Sequence, residues 1–169
     1  SASLNTFFET VDHDTSRGAF DPWTVYDRYS GRYIVMAEEV DDASQQAFFL
    51  IGVSTTSAPD DLNLAGAGGD WYVYATPATH DFGDGLAWLD YPKIAADADS
   101  LYLTGNYFTF AGGSFSRVMI SRLDKTPMLS GTLGTRTDIV APSLVFTLQP
   151  AQSIGRSASD PQLFVDNWT

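Results

Sequence analysis

A chain of 169 residues that is 44% apolar and 14% aromatic has enough hydrophobic mass for a packed core, which excludes a disordered tail. Its 21 acidic residues against 9 basic ones give a formal charge of -12, a sign that repels the phosphate backbone and argues against nucleic acid and anionic membrane surfaces as partners. With no cysteine and no long apolar run, disulfides, thiolate metal sites and a membrane-spanning helix are excluded too.

The N-terminal Ser1-Ala2-Ser3-Leu4 has no basic and apolar leader, so any signal peptide is expected to lie upstream or to have been removed. Leu4-Asn5-Thr6-Phe7-Phe8 reads as an outer strand of a preceding sheet, with residues 1–20 forming that strand and a linker. Asp21-Pro22-Trp23-Thr24-Val25-Tyr26-Asp27 follows, and it is the first copy of a repeat. Pro opens a strand but cannot sit in its hydrogen-bonded middle, and the closing Asp is a turn former. A turn at Tyr29-Ser30-Gly31 then leads to a β-branched and aromatic run, Arg32 to Ala37. The run Ala47 to Val53 is apolar at successive positions, as expected of a strand buried on both faces. A loop with Pro59-Asp60-Asp61 and Gly66-Ala67-Gly68-Gly69 separates it from a fourth strand, Trp71 to Ala75.

A second copy, Asp90-Tyr91-Pro92-Lys93-Ile94-Ala95-Ala96-Asp97, opens the next unit after a loop over 76–89. Its further strands are expected at Leu101 to Thr104, Phe115 to Ile120 and Ser143 to Leu148, with a short helical turn around Asp124-Lys125-Thr126-Pro127-Met128-Leu129. A third copy, Asp160-Pro161-Gln162-Leu163-Phe164-Val165-Asp166, lies near the end of the sequence. The three prolines stand 70 and 69 residues apart. Four-stranded antiparallel meanders recurring at a fixed period, each needing a neighbour to cover its faces, predict an all-β fold of β-propeller blades. The expected division is a first blade over 21–89, a second over 90–159 and the first strand of a third over 160–169. Two blades leave a ring incomplete, so the expected partners are other blades of a parent protein or another copy of the chain.

The Asp21 to Asp27 run with Gly31-Arg32-Tyr33 resembles the Asp-Pro-x-Val-x-Tyr-Asp opening of propeller domains in large secreted bacterial proteins. Val53-Ser54-Thr55-Thr56, Trp71-Tyr72-Val73-Tyr74, Tyr102 to Phe108 and Met128-Leu129-Ser130-Gly131 are similar to that group in type and order. The resemblance spans Asp21 to about Asp166 and implies an extracellular or cell-surface domain; domains of this group mostly have no assigned activity. A looser resemblance is to five-bladed glycosidases, in which carboxylates of successive blades converge on the central cavity. It implies Asp21, Asp90 and Asp160 as the converging acids, with a Glu as proton donor, for which the chain offers Glu9, Glu38 and Glu39.

Because Asp21, Asp90 and Asp160 each precede an innermost strand, a closed ring would gather them at one mouth of the axial channel. Carboxylates gathered there raise one another's pKa or recruit a cation, and oxygen-only donors suit calcium; the alternative is that each accepts backbone N–H groups at the start of its strand. Asp97-Ala98-Asp99-Ser100 begins like a calcium loop but lacks its glycine and distal Glu, so an Asx turn is expected. His13, between Asp12 and Asp14, and His80 beside Asp81 lack metal-site spacing. Gly112-Gly113-Ser114-Phe115-Ser116 is a hairpin loop rather than a nucleophile elbow, and Gly66-Ala67-Gly68-Gly69 lacks the Lys of a phosphate loop. Asn167-Trp168-Thr169 fits a glycosylation sequon. Trp23, Tyr91 and Trp88, the last placed in a loop, are candidates for stacking on a polysaccharide.

Three functional expectations follow. The first is a non-catalytic extracellular scaffold or binding module, the second a carbohydrate-active enzyme, and the third a subunit that self-assembles into a fibre or sheath by exchanging strands.

Overall fold

The computed structural model describes residues 3–13, 15–65, 68–143, 145–152, 154–155 and 160–166. The chain is mostly β, and every sheet is antiparallel. A first sheet has the order β1 (Ala19–Asp27), β2 (Arg32–Asp41), β3 (Gln46–Ser54) and β4 (Trp71–Pro77). A second has β5 (His80–Asp81), β6 (Leu86–Ala96), β7 (Ser100–Thr109), β8 (Phe115–Asp124) and β9 (Arg136–Val140). A two-stranded ribbon pairs β10 (Gln149–Pro150) with β11 (Phe164–Val165). Among the described residues no helix is long and apolar enough to cross a membrane.

The two proline runs occupy equivalent places, although each proline sits inside its strand, which begins at Ala19 or Leu86, rather than opening it. Each run lies in the strand that leads a four-strand meander, and each has its irregularity at the proline, between Phe20 and Trp23 in β1 and between Asp90 and Lys93 in β6. The residue before each proline is left-handed, Asp21 at φ 49° and Tyr91 at φ 57°. Pro22 and Pro92 have no N–H to give to the ladder, so the chain bulges there and resumes pairing at Trp23 and Lys93. The aspartates that close the runs make Asx turns: Asp27 Oδ1 accepts the Tyr29 N–H at 3.0 Å, and Asp97 Oδ1 accepts those of Asp99 and Ser100 at 2.9 and 2.7 Å.

The pairing registers align the sheets residue by residue. Glu38 faces Phe20 across the first ladder and Asn106 faces Asp90 across the second, each two ladder positions beyond the pair that follows the bulge. Strand alternation carries Ile34, Met36, Glu38 and Val40 to one face of β2, and three of these four are apolar members of the main core. Leu101, Leu103 and Tyr107 of β7 belong to the same core, so this face of the first sheet packs on the second. The opposite face of β7 carries Thr104 and Asn106, which bond to Leu148 and Thr147. One face of each sheet therefore meets the next segment of chain. A buried ion pair ties the two sheets at their turns: Lys125 Nζ lies 2.7 Å from Asp27 Oδ2 and also donates to the Asp97 carbonyl.

Three local expectations are corrected. Residues Leu4–Phe8 form α1, a helical turn rather than an outer strand, because the Ser3 hydroxyl caps it by accepting the Thr6 N–H at 3.1 Å. Phe7 and Phe8 of α1 are buried against Leu50 and Trp71 on the outer face of the first sheet. This docking fixes Gly52, where a Cβ would come within 2.7 Å of the Phe7 ring. The last strand of the second sheet, the fourth counting from β6, is β9 at Arg136–Val140 rather than the apolar run from 143 to 148. Edge position explains that substitution: β9 pairs on one side only, so charged Arg136 and Asp138 suit it better than an apolar stretch. The loop expected over 76–89 is shorter than thought, since β5 and the start of β6 fall within it.

Candidate functional site

The two bulges bring their acids together. One carboxylate oxygen each from Asp21, Glu38 and Asp90 lies within 4.8 Å of the others. Asp21 enters from the left-handed bulge of β1, Glu38 from the core face of β2, and Asp90 from β6 just ahead of its own bulge. Asp21 is exposed, Asp90 half-buried and Glu38 wholly buried at 0% exposure. Of the three aspartates expected to converge, the structure gathers Asp21 and Asp90 but not Asp160, which is exposed ahead of β11; Glu38 is the third acid. Glu39 points to the other face of β2, where it accepts from the backbone N–H of His13 at 3.4 Å and pairs with its ring, which stacks on Phe48.

Among the described residues, neither oxygen of Glu38 has a hydrogen-bond partner. Burial, reinforced by the charges of Asp90 and Asp21, holds its carboxyl well above the ordinary value of 4.5. The Tyr91 N–H and Lys93 oppose this weakly, and that N–H is itself committed to Asp90 Oδ1 at 2.7 Å. Lys93 is the nearest basic neighbour by sequence to Asp90, and it is buried. Its ammonium donates to the carbonyls of Pro92 at 3.1 Å and Tyr91 at 3.4 Å, and among the described residues it forms no ion pair with the three acids. Desolvation lowers the Lys93 pKa, while Asp21, Glu38 and Asp90 push it back up.

The aromatic candidates sit around this group with their faces partly engaged. Lys93 Nζ lies 3.4 Å from the Tyr91 ring centroid and 4.6 Å from that of Trp23. Trp88, expected in a loop, lies in β6 with the Arg17 guanidinium 4.2 Å above its ring; alternation along an 11-residue strand, not loop position, sets its exposure. Arg17 is also held bidentate by Asp42, at 2.6 and 2.9 Å. Trp23 and Tyr91 remain partly open to solvent.

Beside the acids runs a cleft of 580 Å³, lined by Trp23, Thr24 and Val25 of β1, Lys93 and Ile94 of β6, and Gln149 and Pro150 of β10, with Val165 and Asp166 of the third copy. Thr147, also in its wall, is left-handed at φ 57°, like Asp21 and Tyr91. Its N–H donates to Asn106 Oδ1 at 2.9 Å, and Asn106 Nδ2 returns a bond to its hydroxyl at 3.1 Å. Thr147 thus stands to Asn106 as Tyr91 stands to Glu38, and the run after Pro161 supplies β11, the antiparallel partner of β10.

The alternation Ile34-x-Met36-x-Glu38-x-Val40 is the signal that could have singled out Glu38, since it puts one acid on an otherwise apolar face. Asp97 closes an Asx turn as expected, and Gly112, Gly113 and Ser114 lie in the hairpin loop between β7 and β8, with Phe115 and Ser116 opening β8. Asp14, Gly66, Ala67 and the sequon with Trp168 lie outside the described residues. No protein-family model, curated protein or solved structure matches the chain.

Proposed function

We propose that the chain is a non-catalytic scaffold or binding module of a secreted or surface assembly, built from propeller-type blades and presenting the mouth of an axial cleft to a ligand. The observation that carries this reading is the common wall: β1, β6 and β10 all line one cleft, and each is preceded or interrupted by a left-handed residue at a corresponding point. Repeated sheets that pass one face to the next around a shared void are what a propeller axis requires. The acidic surface and freedom from cysteine suit an exterior compartment. Purified chain titrated with a panel of acidic and neutral polysaccharides is expected to bind without turnover. Hydrolysis of any of them that disappears in Asp21→Asn overturns the proposal.

A carbohydrate-active enzyme is the second reading, favoured by the convergence of Asp21, Glu38 and Asp90. Glycosidic chemistry needs a proton donor that touches the leaving oxygen, with the paired carboxyl groups roughly 5 to 10 Å apart. Glu38 has the raised pKa of such a donor, but at 0% exposure it cannot reach a substrate, and the scaffold reading is therefore preferred.

A further inference from the structure

We propose that Asp21, Glu38 and Asp90 form the binding site of a single calcium ion at the joint between the first two sheets. Three acids close together would not suffice for this assignment, since exposed acidic groups often cluster without a ligand. Two further observations point to a cation. The first is Glu38 itself, buried completely, aimed into the group, with both oxygens unpartnered among the described residues. A buried polar group without a partner is rare in a folded chain because nothing repays its lost hydration.

The second is the matching position in the second sheet. Asn106 occupies the place of Glu38, and there the chain supplies both partners through Thr147. The fold can evidently satisfy a buried polar residue at this point; in the first sheet it commits the nearby donors to other acceptors and adds two more acids. Donors are close by but directed elsewhere: the Tyr91 N–H goes to Asp90, and Lys93 Nζ goes to the Tyr91 and Pro92 carbonyls.

The donor set selects the ion. Three carboxylates with no imidazole or thiolate suit a hard cation. Calcium accepts oxygen at about 2.4 Å in irregular shells of six to eight, so two of its ligands may stand up to about 4.8 Å apart. Each pair of the three oxygens falls within that span. Exposed Asp21 gives the ion its path from solvent, and water completes the shell on that side. Lys93, which feels all three acids, and Arg17, which feels Asp90 and Glu38, are like charges that work against the ion. This inference does not depend on the scaffold reading, because a scaffold or an enzyme could hold the ion.

The test is a calorimetric and thermal-shift titration of the full, chelator-stripped chain with calcium chloride, repeated with magnesium chloride. One saturable calcium site with a Kd of about 10⁻⁴ M is expected, the range of extracellular modules. Calcium at about 100 times that Kd is expected to raise the Tm by about 5–10 °C. Glu38→Gln, which keeps the shape and removes the buried acid, is expected to fold and to lose the calcium-induced shift. Asp90→Asn is expected to weaken binding at least about tenfold, Lys93→Gln to tighten it by about the same factor, and Asp60→Asn, remote and exposed, to leave it unchanged. No saturable binding at about 10 mM calcium, undiminished binding by folded Glu38→Gln, or an equal response to magnesium overturns the assignment.

Discussion

The first and second sheets share a strand plan but divide their polar residues in opposite ways. In the first, Glu38 lies unpartnered in the core while its neighbour Glu39 is bound to His13. In the second, Asn106 at the position of Glu38 is satisfied by Thr147, while Tyr107, at the position of Glu39, buries a hydroxyl without a partner among the described residues. One register thus yields a quiet joint in one sheet and an acidic one in the other. What decides between them is the neighbouring chain: Thr147 offers an N–H to the amide, whereas Asp90 offers Glu38 another negative charge.

The comparison can be broken most severely where the two sheets are tied. Lys125 and Asp27 are at 1% and 0% exposure, so Lys125→Met leaves a buried, uncompensated carboxylate. A loss of about 3–5 kcal/mol is expected in urea unfolding, with partial recovery in the Lys125→Met, Asp27→Asn double variant. Next comes Asn106→Leu, which orphans the Thr147 N–H and is expected to cost about 1–3 kcal/mol by the same measurement.

Glu38→Gln tests the opposite sign. In calcium-free solution the folded chain keeps the Glu38 proton above the ordinary value of 4.5, where the unfolded chain has released it. The unfolded state then binds fewer protons, so stability falls as pH rises from that value and levels off only above the raised folded pKa. Glu38→Gln is expected to flatten this decline and to gain about 1 kcal/mol at neutral pH, read from unfolding curves at several pH values. A steeper decline in the variant would refute it. The smallest effect is expected from Tyr107→Phe. Removing an unpartnered buried hydroxyl should raise stability by up to about 1 kcal/mol, and it should improve alkaline tolerance because burial holds this phenol far above its usual range.

Much of the plan was written in single residues. Asp27 and Asp97 marked the turns and the unbroken apolar run of β3 its burial on both faces, whereas Pro22 and Pro92, expected to open their strands, sit inside them at bulges. The alternation along β2 separates Glu38 from Glu39, but nothing within that strand reveals that the bulges of β1 and β6 would bring Asp21 and Asp90 to it. Nor could composition reveal that Ser3 would turn an aromatic run into a capped helix, or that an edge would select charged β9 over the apolar stretch after it. Asp160 was grouped with Asp21 and Asp90 by its proline, yet the left-handed residue that matches theirs is Thr147, which no proline follows.

The outer margins of the two sheets are also joined, by Arg136 of β9, which donates to the Thr76 hydroxyl at 3.1 Å and to the Pro77 carbonyl of β4 while held by Asp138. The ion pair of Arg136 with Asp138 lies within β9, and its links to β4 run to a neutral hydroxyl and carbonyl, so salt screens the pair that orients the guanidinium but not the bonds that cross between the sheets. Raising ionic strength should therefore leave the seam between the sheets closed at both ends, because what spans it is apolar core and bonds to neutral groups, with the one charged tie, Lys125 to Asp27, shielded from solvent.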